Sequence, residues 1–472
     1  MGKRAQLSRE AVVESFADVD LGDERLNRRL EAIVGRLASG PEKSFPTLFR
    51  GEAELEAFYR FVRNPRVELD TLVAGHFGQT RERITCTTSA LAIHDTTELS
   101  FGDARVRRRE GLGRLNRNDQ GMLFHATLAV DAQARAPLGI LDAHVWTRPD
   151  ESRRAMRADV GHRKLRELPS EGDKWLAQAL RVKRDNPTVS LLHVMDSEAD
   201  DYSLFAYLAA FEIRYCIRVG TNRRVLDDTA HNLGDLFSRT EAACTRDITL
   251  SPRGRQPGGG RSRHVVRAGR TATISIAAIT VSIKRPHSLP VSAALPDDLS
   301  VNVVRVWEAS APDGEVPIHW VLFTNEAVDT TAAMLAVVDA YRQRWLIEEY
   351  FKALKTGCSY EARQLDSDAT LEVALGLFIP IASQLLALRT LERERPDTPA
   401  QTVLSKAELF VLRKELGRTF PQHPTVADAL AAIARLGGHI KNNGSPGWIV
   451  LNRGYEELAK LAAFAEKLGV EM

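Results

Sequence analysis

Residues 172–219 read GDKWLAQALRVKRDNPTVSLLHVMDSEADDYSLFAYLAAFEIRYCIRV, and this stretch decides the fold. A helical segment, GDKWLAQALRVKR, leads into the short apolar run VSLLHVMD. A second helix at DDYSLFAYLAAF leads into a second run, IRYCIRV. Helices alternating with short β-branched runs predict strands in a shared sheet rather than separate hairpins. On the N-terminal side, ALAIHD, LFHATLAV and LGILDAHVW follow one another from Ala90 with turn residues between them, as an antiparallel meander does. A meander joined to alternating helix and strand predicts a mixed α/β sheet.

Residues 1–72 read as helical, with LGDERLNRRLEAIVGRLA followed by ELEAFYRFVRNPRV, in which Pro65 stops the second helix. From about Gly220 to Asn325 the chain is strand-like and glycine-rich, with TATISIAAITVSI as the clearest strand and PRGRQPGGGRSR as a basic tip. Helical texture returns near Asp329 and continues to Met472, apart from the turn-rich GGHIKNNGSPGW. The expected organisation is therefore a helical domain over 1–72, an α/β domain over 73–370 with a β-rich insertion at about 220–328, and a helical region over 371–472.

The length of 472 residues suits two to four domains, and 44% hydrophobic residues suffice for their cores. No basic leader followed by an apolar core opens the chain, so a secretory signal is not expected. The longest uncharged apolar run, Val373–Leu388, falls short of the ~20 residues that span a bilayer and reads as a buried helix, with no membrane partner. The four cysteines show neither metal-ligand spacing nor a disulfide framework, which fits a reducing cytoplasm. Net charge is only +2, but six arginines and no acid lie between Ser251 and Arg270, and RVRRR at Arg105–Arg109 forms a second cluster. Patches of this kind can neutralise phosphates on a nearly neutral chain.

Two apolar runs stop at an aspartate, LAIHD at Asp95 and LLHVMD at Asp196. Strand ends are where ligands gather in α/β sheets, and a carboxylate there needs a cation or hydrogen-bond donors. A third carboxylate, Glu348, belongs to YRQRWLIEEYFKALK, residues 341–355. On one continuous helix, Tyr341, Arg344, Glu348 and Lys355 fall within a stripe of roughly 60° beside the apolar face. Two strand-end aspartates and one helical glutamate make an oxygen-rich set suited to two-magnesium phosphoryl transfer. His94 and His193 show no zinc motif and read as structural, and Trp345 reads as packing.

The spacing Y-(2)-R-(3)-E-(6)-K at Tyr341, Arg344, Glu348 and Lys355 resembles the signature of the insertion sequence four family of bacterial DDE transposases. The motifs LGDERL, YRFVRNP, IHDTTELS, DSEAD, HWVLFTNE, RWLIEE and IARLGG follow in the same order as in that family. The resemblance implies an RNase H-like catalytic core with a β-rich insertion, a helical N-terminal DNA-binding domain and a C-terminal dimerisation region. It implies that Asp95, Asp196 and Glu348 hold two Mg2+ ions, with Mn2+ as a substitute and Asp95 shared between them. Tyr341, Arg344 and Lys355 would hold phosphates, and Trp320 would stack on a base flipped out of a hairpin. Arg25, Arg28, Arg29, Arg60 and Arg63, with the arginines around the first aspartate and in the insertion, would contact the transposon ends, with Leu26 and Asn27 departing from the family pattern. Partners would be inverted-repeat and target DNA, bound by a synaptic homodimer. Three other readings stand beside this one: a non-catalytic DNA-binding relative, a nuclease of the same fold, and an RNA-binding scaffold.

Overall fold

The computed structural model describes residues 9–49, 51–115, 119–149, 171–250, 268–289, 295–440 and 446–469. Two compact units emerge, one built from residues 1–90, 95–169 and 345–472, the other from 91–94 and 170–344.

After a short helix at Arg9–Glu14, the N-terminal part of the first unit is built on longer helices at Glu24–Ser39, Glu52–Val62 and Leu69–Thr85. The first begins where the Asp23 carboxylate accepts the Arg25 N–H, and it buries Leu30, Ile33, Val34 and Leu37 at helical spacing. That choice of face leaves Arg25, Arg28 and Arg29 exposed. The second helix stops at Val62, with Arg63 as its cap, just ahead of Pro65. The strands of this unit are β1 (Ala90–Asp103, from Asp95 onward), β2 (Gly113–Arg114), β3 (Asp119–Asp131) and β4 (Ala136–Trp146). β2 and β4 both pair antiparallel with β3, as the meander reading expects. β3 is buried without interruption from Gln120 to Val130, on both faces, so its mostly apolar sequence shows no in–out alternation even where it carries Gln120, His125 and Thr127.

The helix Asp368–Glu394, opened by a Ser367–Thr370 capping box, packs against β4 and against Leu69–Thr85. It is long and apolar enough to cross a membrane by length and composition, and 78% of its most apolar window is buried within the fold. Helices Lys406–Leu416, Val426–Leu436 and Trp448–Lys467 close over Leu412, Ala429, Ile433 and Leu458. The last two meet backbone to backbone, since a methyl group at Gly454 would lie 1.7 Å from the Ile433 carbonyl oxygen.

In the second unit, the segment Leu91–Ile93 of β1 pairs in parallel with β5 (Leu192–Met195), and β5 pairs in parallel with β6 (Arg214–Arg218). Helices Asp173–Asp185 and Tyr202–Ala210 alternate with those strands as residues 172–219 predict. The glycine-rich region contributes β7 (Val225–Leu226), β8 (Cys244–Leu250), β9 (Arg270–Lys284), β10 (Asp298–Glu308) and β11 (His319–Thr324). These strands continue the sheet outward from β6 in the order β11, β10, β9, with β7 and β8 both on β9. Phe205, Tyr215, Val303, Ile283 and Phe323 sit in the core of this unit. The basic tip PRGRQPGGGRSR lies outside the described residues.

Residues 341–355 do not form the single helix that their pattern predicts. One helix, Thr331–Arg342, ends with Gln343 as its cap, and another runs from Trp345 to Lys352. The chain then widens into a π turn over Ala353–Gly357, where the Cys358 N–H reaches the Ala353 carbonyl at 2.8 Å. The break and the wider turn mean that the 100° per residue of one continuous helix, on which the common stripe rests, does not hold through this segment.

Candidate catalytic and nucleic-acid site

The parallel register of β1 and β5 positions two of the three carboxylates along the chain. Ile93 pairs with Val194, and two residues further along each strand the sequence reads Asp95 and Asp196. Asp196 directly follows the carboxyl end of the parallel strand β5, the edge where α/β sheets gather ligands, whereas Asp95 lies inside β1, which runs on to Asp103.

Asp95 is half-buried, and one of its oxygens accepts the Thr96 N–H at 2.8 Å. The Thr96 hydroxyl, on the opposite side of the strand, meets Nδ1 of the buried His125 at 2.9 Å. Asp196 is half-buried and accepts the Glu198 N–H at 2.9 Å, capping a short 3-10 turn. The other aspartates of DSEADD have structural work. Asp200 pairs with Arg223 and accepts the N–H groups of Gly220 and Thr221, and Asp201 caps the helix Tyr202–Ala210.

His94 and His193 are buried and bonded to each other, with Nε2 and Nδ1 2.8 Å apart and the rings stacked at 5.0 Å. Burial pushes the His193 imidazole down to about 3. These two imidazoles are committed to each other, as the absence of a zinc motif predicts.

Glu348 is half-buried in the first turn of the helix Trp345–Lys352. Lys355 donates to the Glu98 carbonyl at 2.5 Å and lies 3.5 Å from Glu361, whose carboxylate accepts the Ser100 N–H at 2.8 Å. Lys355 is thereby anchored to β1 three residues beyond Asp95. Trp345 is exposed, with the Lys352 ammonium 4.5 Å from its ring centroid. The packing role expected for Trp345 is corrected: at the first position of a helix that has just restarted, its side chain faces outward.

In the second unit, Trp320 on β11 and Tyr341 on the helix Thr331–Arg342 meet with ring centroids 5.7 Å apart. Trp320 is half-buried, so its ring belongs neither wholly to the core nor to the surface. Burial pushes the Tyr341 phenol up, against the guanidiniums of Arg344 and Arg218, which draw it down. Arg218 also donates to the His319 carbonyl at 3.4 Å. The result is two aromatic rings flanked by two arginines, a combination suited to a stacked base and its phosphate. Arg218 escapes the sequence reading because it ends a plain strand, IRYCIRV, and nothing local marks its approach to Tyr341.

In the N-terminal helices, Arg25 pairs with Asp23, Arg28 with Glu24 and Arg60 with Glu56 through exposed contacts. Arg63 lies 3.5 Å from Asp366 and 5.8 Å from the Tyr59 ring centroid. Exposed pairs of this kind contribute little to stability and leave these cations available to a polyanion.

The donor set fits a hard divalent cation in chemistry, since the candidates are carboxylates alone and His94 and His193 are committed to each other. In geometry, among the described residues no group of three His, Cys, Asp or Glu side chains is gathered at ligand spacing.

Exposed arginines on the N-terminal helices and carboxylates in the α/β region are features found in proteins that work on nucleic acid. Residues 8–67 match the family described as transposase DNA-binding, and residues 173–379 match the transposase DDE domain. The chain is a DDE transposase, with DNA-binding and DDE domains and an enzymatic activity directed at DNA. Asp196, Glu348, Trp320, Tyr341, Arg344 and Lys355 lie inside the matched DDE stretch, whereas Asp95 precedes it. Among solved structures, a piggyBac transposase synaptic complex with hairpin DNA aligns at 9% identity. The alignment covers 89% of this chain and 86% of that one with a TM-score of 0.38, a likeness too loose to inform individual residues.

Proposed function

We propose that this enzyme is a cut-and-paste transposase of the insertion sequence four type, similar to the transposase of transposon five. It acts as a synaptic homodimer in the bacterial cytoplasm on the inverted ends of its own element, with an RNase H-like core and a C-terminal dimerisation region. The observation that carries this reading is the pairing, on one chain, of a match to the transposase DNA-binding family over residues 8–67 with a match to the transposase DDE domain over residues 173–379. Asp95, Asp196 and Glu348 would hold two Mg2+ ions, with Mn2+ as a substitute, when DNA is bound. Bound there, such ions would supply activation of a water or 3′ hydroxyl and charge stabilisation of the leaving oxygen.

The chain's own groups do the rest. Arg344 and Lys355 hold phosphates, the former through its planar fork and the latter as a point charge fixed on β1. The Tyr341 hydroxyl donates a hydrogen bond to the DNA backbone. Trp320, resting on Tyr341, offers a flat face to a base extruded when the nicked strand closes into a hairpin. Arg25, Arg28, Arg29, Arg60 and Arg63 bind the transposon ends.

The test is to incubate the purified protein and Mg2+ with DNA carrying the inverted repeats that flank its gene, and to resolve the strands on a denaturing gel. Nicks, hairpins and joined products are expected. Binding without cleavage, in Mg2+ or Mn2+, would reject the catalytic reading in favour of a non-catalytic DNA-binding relative.

A further inference from the structure

The Asp366 carboxylate gathers two guanidiniums from distant parts of the chain. Arg63 approaches one oxygen at 3.5 Å and Arg107 the other at 2.5 Å, and all three side chains are more than half exposed. All three residues belong to the first unit. Arg63 caps a helix inside the stretch that matches the transposase DNA-binding family, and Arg107 belongs to the RVRRR loop between β1 and β2.

That loop is tied down at its base. The Arg109 N–H donates to Gln120 at 2.9 Å, and its guanidinium donates to the carbonyls of Arg363 at 2.9 Å and Leu365 at 3.1 Å. The Glu110 N–H donates to the Asp366 carbonyl at 3.0 Å, and the Asp368 N–H to the Glu110 carbonyl at 2.9 Å. The backbone at Asp366 and the base of the basic loop are thus one construction, while Arg105 and Val106 at the tip stay largely exposed.

Exposed ion pairs add little to folding stability, so the convergence of Arg63 and Arg107 is not explained by the fold's needs. Two guanidiniums directed at the two oxygens of a single anion have the geometry of a phosphodiester site. We propose that Arg63 and Arg107 form one phosphate-binding site for the DNA backbone, with the Asp366 carboxylate as an internal stand-in that a DNA phosphate displaces. The site joins the N-terminal module to the loop that follows β1, so one strand of DNA is held by both. This proposal rests on the reading of the protein as a binder of transposon ends.

The test measures binding of fluorescently labelled duplexes by anisotropy over a salt series, using an inverted-repeat duplex and a scrambled duplex of equal length. Asp366→Asn should tighten binding roughly three- to tenfold at moderate salt, with the slope of log affinity against log salt steeper by about one. Tightening on both duplexes assigns the site to any DNA backbone, and tightening on the inverted repeat alone assigns it to the bound end; either supports the proposal. Arg63→Ala and Arg107→Ala should each weaken binding, and Arg107→Ala should cancel the gain from Asp366→Asn. An unchanged affinity and slope in Asp366→Asn, with wild-type protein binding normally, overturns the proposal. So does a gain that persists when both arginines are removed. Failure of the wild-type protein to bind either duplex instead defeats the underlying reading of the protein.

Discussion

Replacing Arg363 with methionine removes a cation that the first unit cannot substitute. Arg363 is 3% exposed, and its guanidinium donates to the carbonyls of Pro41 and Lys43 and, at 2.5 Å, to that of Cys358. It lies between two rings, 4.8 Å from the Phe45 centroid and 4.6 Å from that of Phe378. Burial depresses its pKa to about 10, so it stays charged at neutral pH and is held by those acceptors and rings. Methionine fills much of the space but leaves the three carbonyls without this donor, at about 1–3 kcal/mol for each that water cannot reach. The lost cation–π contacts add about 1–2 kcal/mol, and water reaching the carbonyls nearest the surface offsets part of the total. The net expectation is a loss of about 3–5 kcal/mol. Urea unfolding should show a clearly lower midpoint with a similar slope. Arg363→Lys should recover less than half of the loss, because an ammonium cannot reproduce the planar fork. A methionine variant within about 1 kcal/mol of wild type would refute the reasoning.

Trp320→Ala should impair hairpin formation more than first-strand nicking, measured as the ratio of the two products on a denaturing gel. Equal loss of both would assign Trp320 to packing against Tyr341. Acid should destabilise both units through buried histidines. His76 and His193 each titrate near 3 in the fold against 6.5 for the free side chain, so between those values only the unfolded chain holds the proton. Their contribution is complete above pH 6.5 and is lost as pH falls toward 3, by about 1.4 kcal/mol per pH unit for each histidine. His76→Asn should remove one histidine's share of that slope, read as urea midpoints at pH 7 and pH 4.5. An unchanged slope would show that His76 is protonated in the fold.

The elements that local chemistry dictates are visible in the sequence. Residues 172–219 give the helix–strand alternation, and LFHATLAV and LGILDAHVW give a paired β3 and β4. The break at Gln343–Arg344 is not visible, because no glycine or proline marks it and a helical stripe continues through it. The π turn at Ala353–Gly357 is invisible for a similar reason, since its single displaced hydrogen bond has no residue signature. Residues that act by long-range convergence are hidden in the same way. Arg218 meets Tyr341, Arg63 and Arg107 meet Asp366, and Arg363 closes on Pro41, in each case across chain distances that no local pattern spans. At the carboxylates the sequence reading holds only in part: the apolar run before Asp196 ends as a strand at Met195, whereas the run before Asp95 continues as β1 to Asp103, because the polar residues after Asp95 still pair in the sheet.

The most direct measurement of the central claim compares Asp95→Ala, Asp196→Ala and Glu348→Ala with wild type on inverted-repeat DNA, scoring end binding and Mg2+-dependent strand cleavage in the same samples. The account predicts that each variant binds the ends with near-wild-type affinity and cuts neither strand. Cleavage that persists in any one of the three would contradict it.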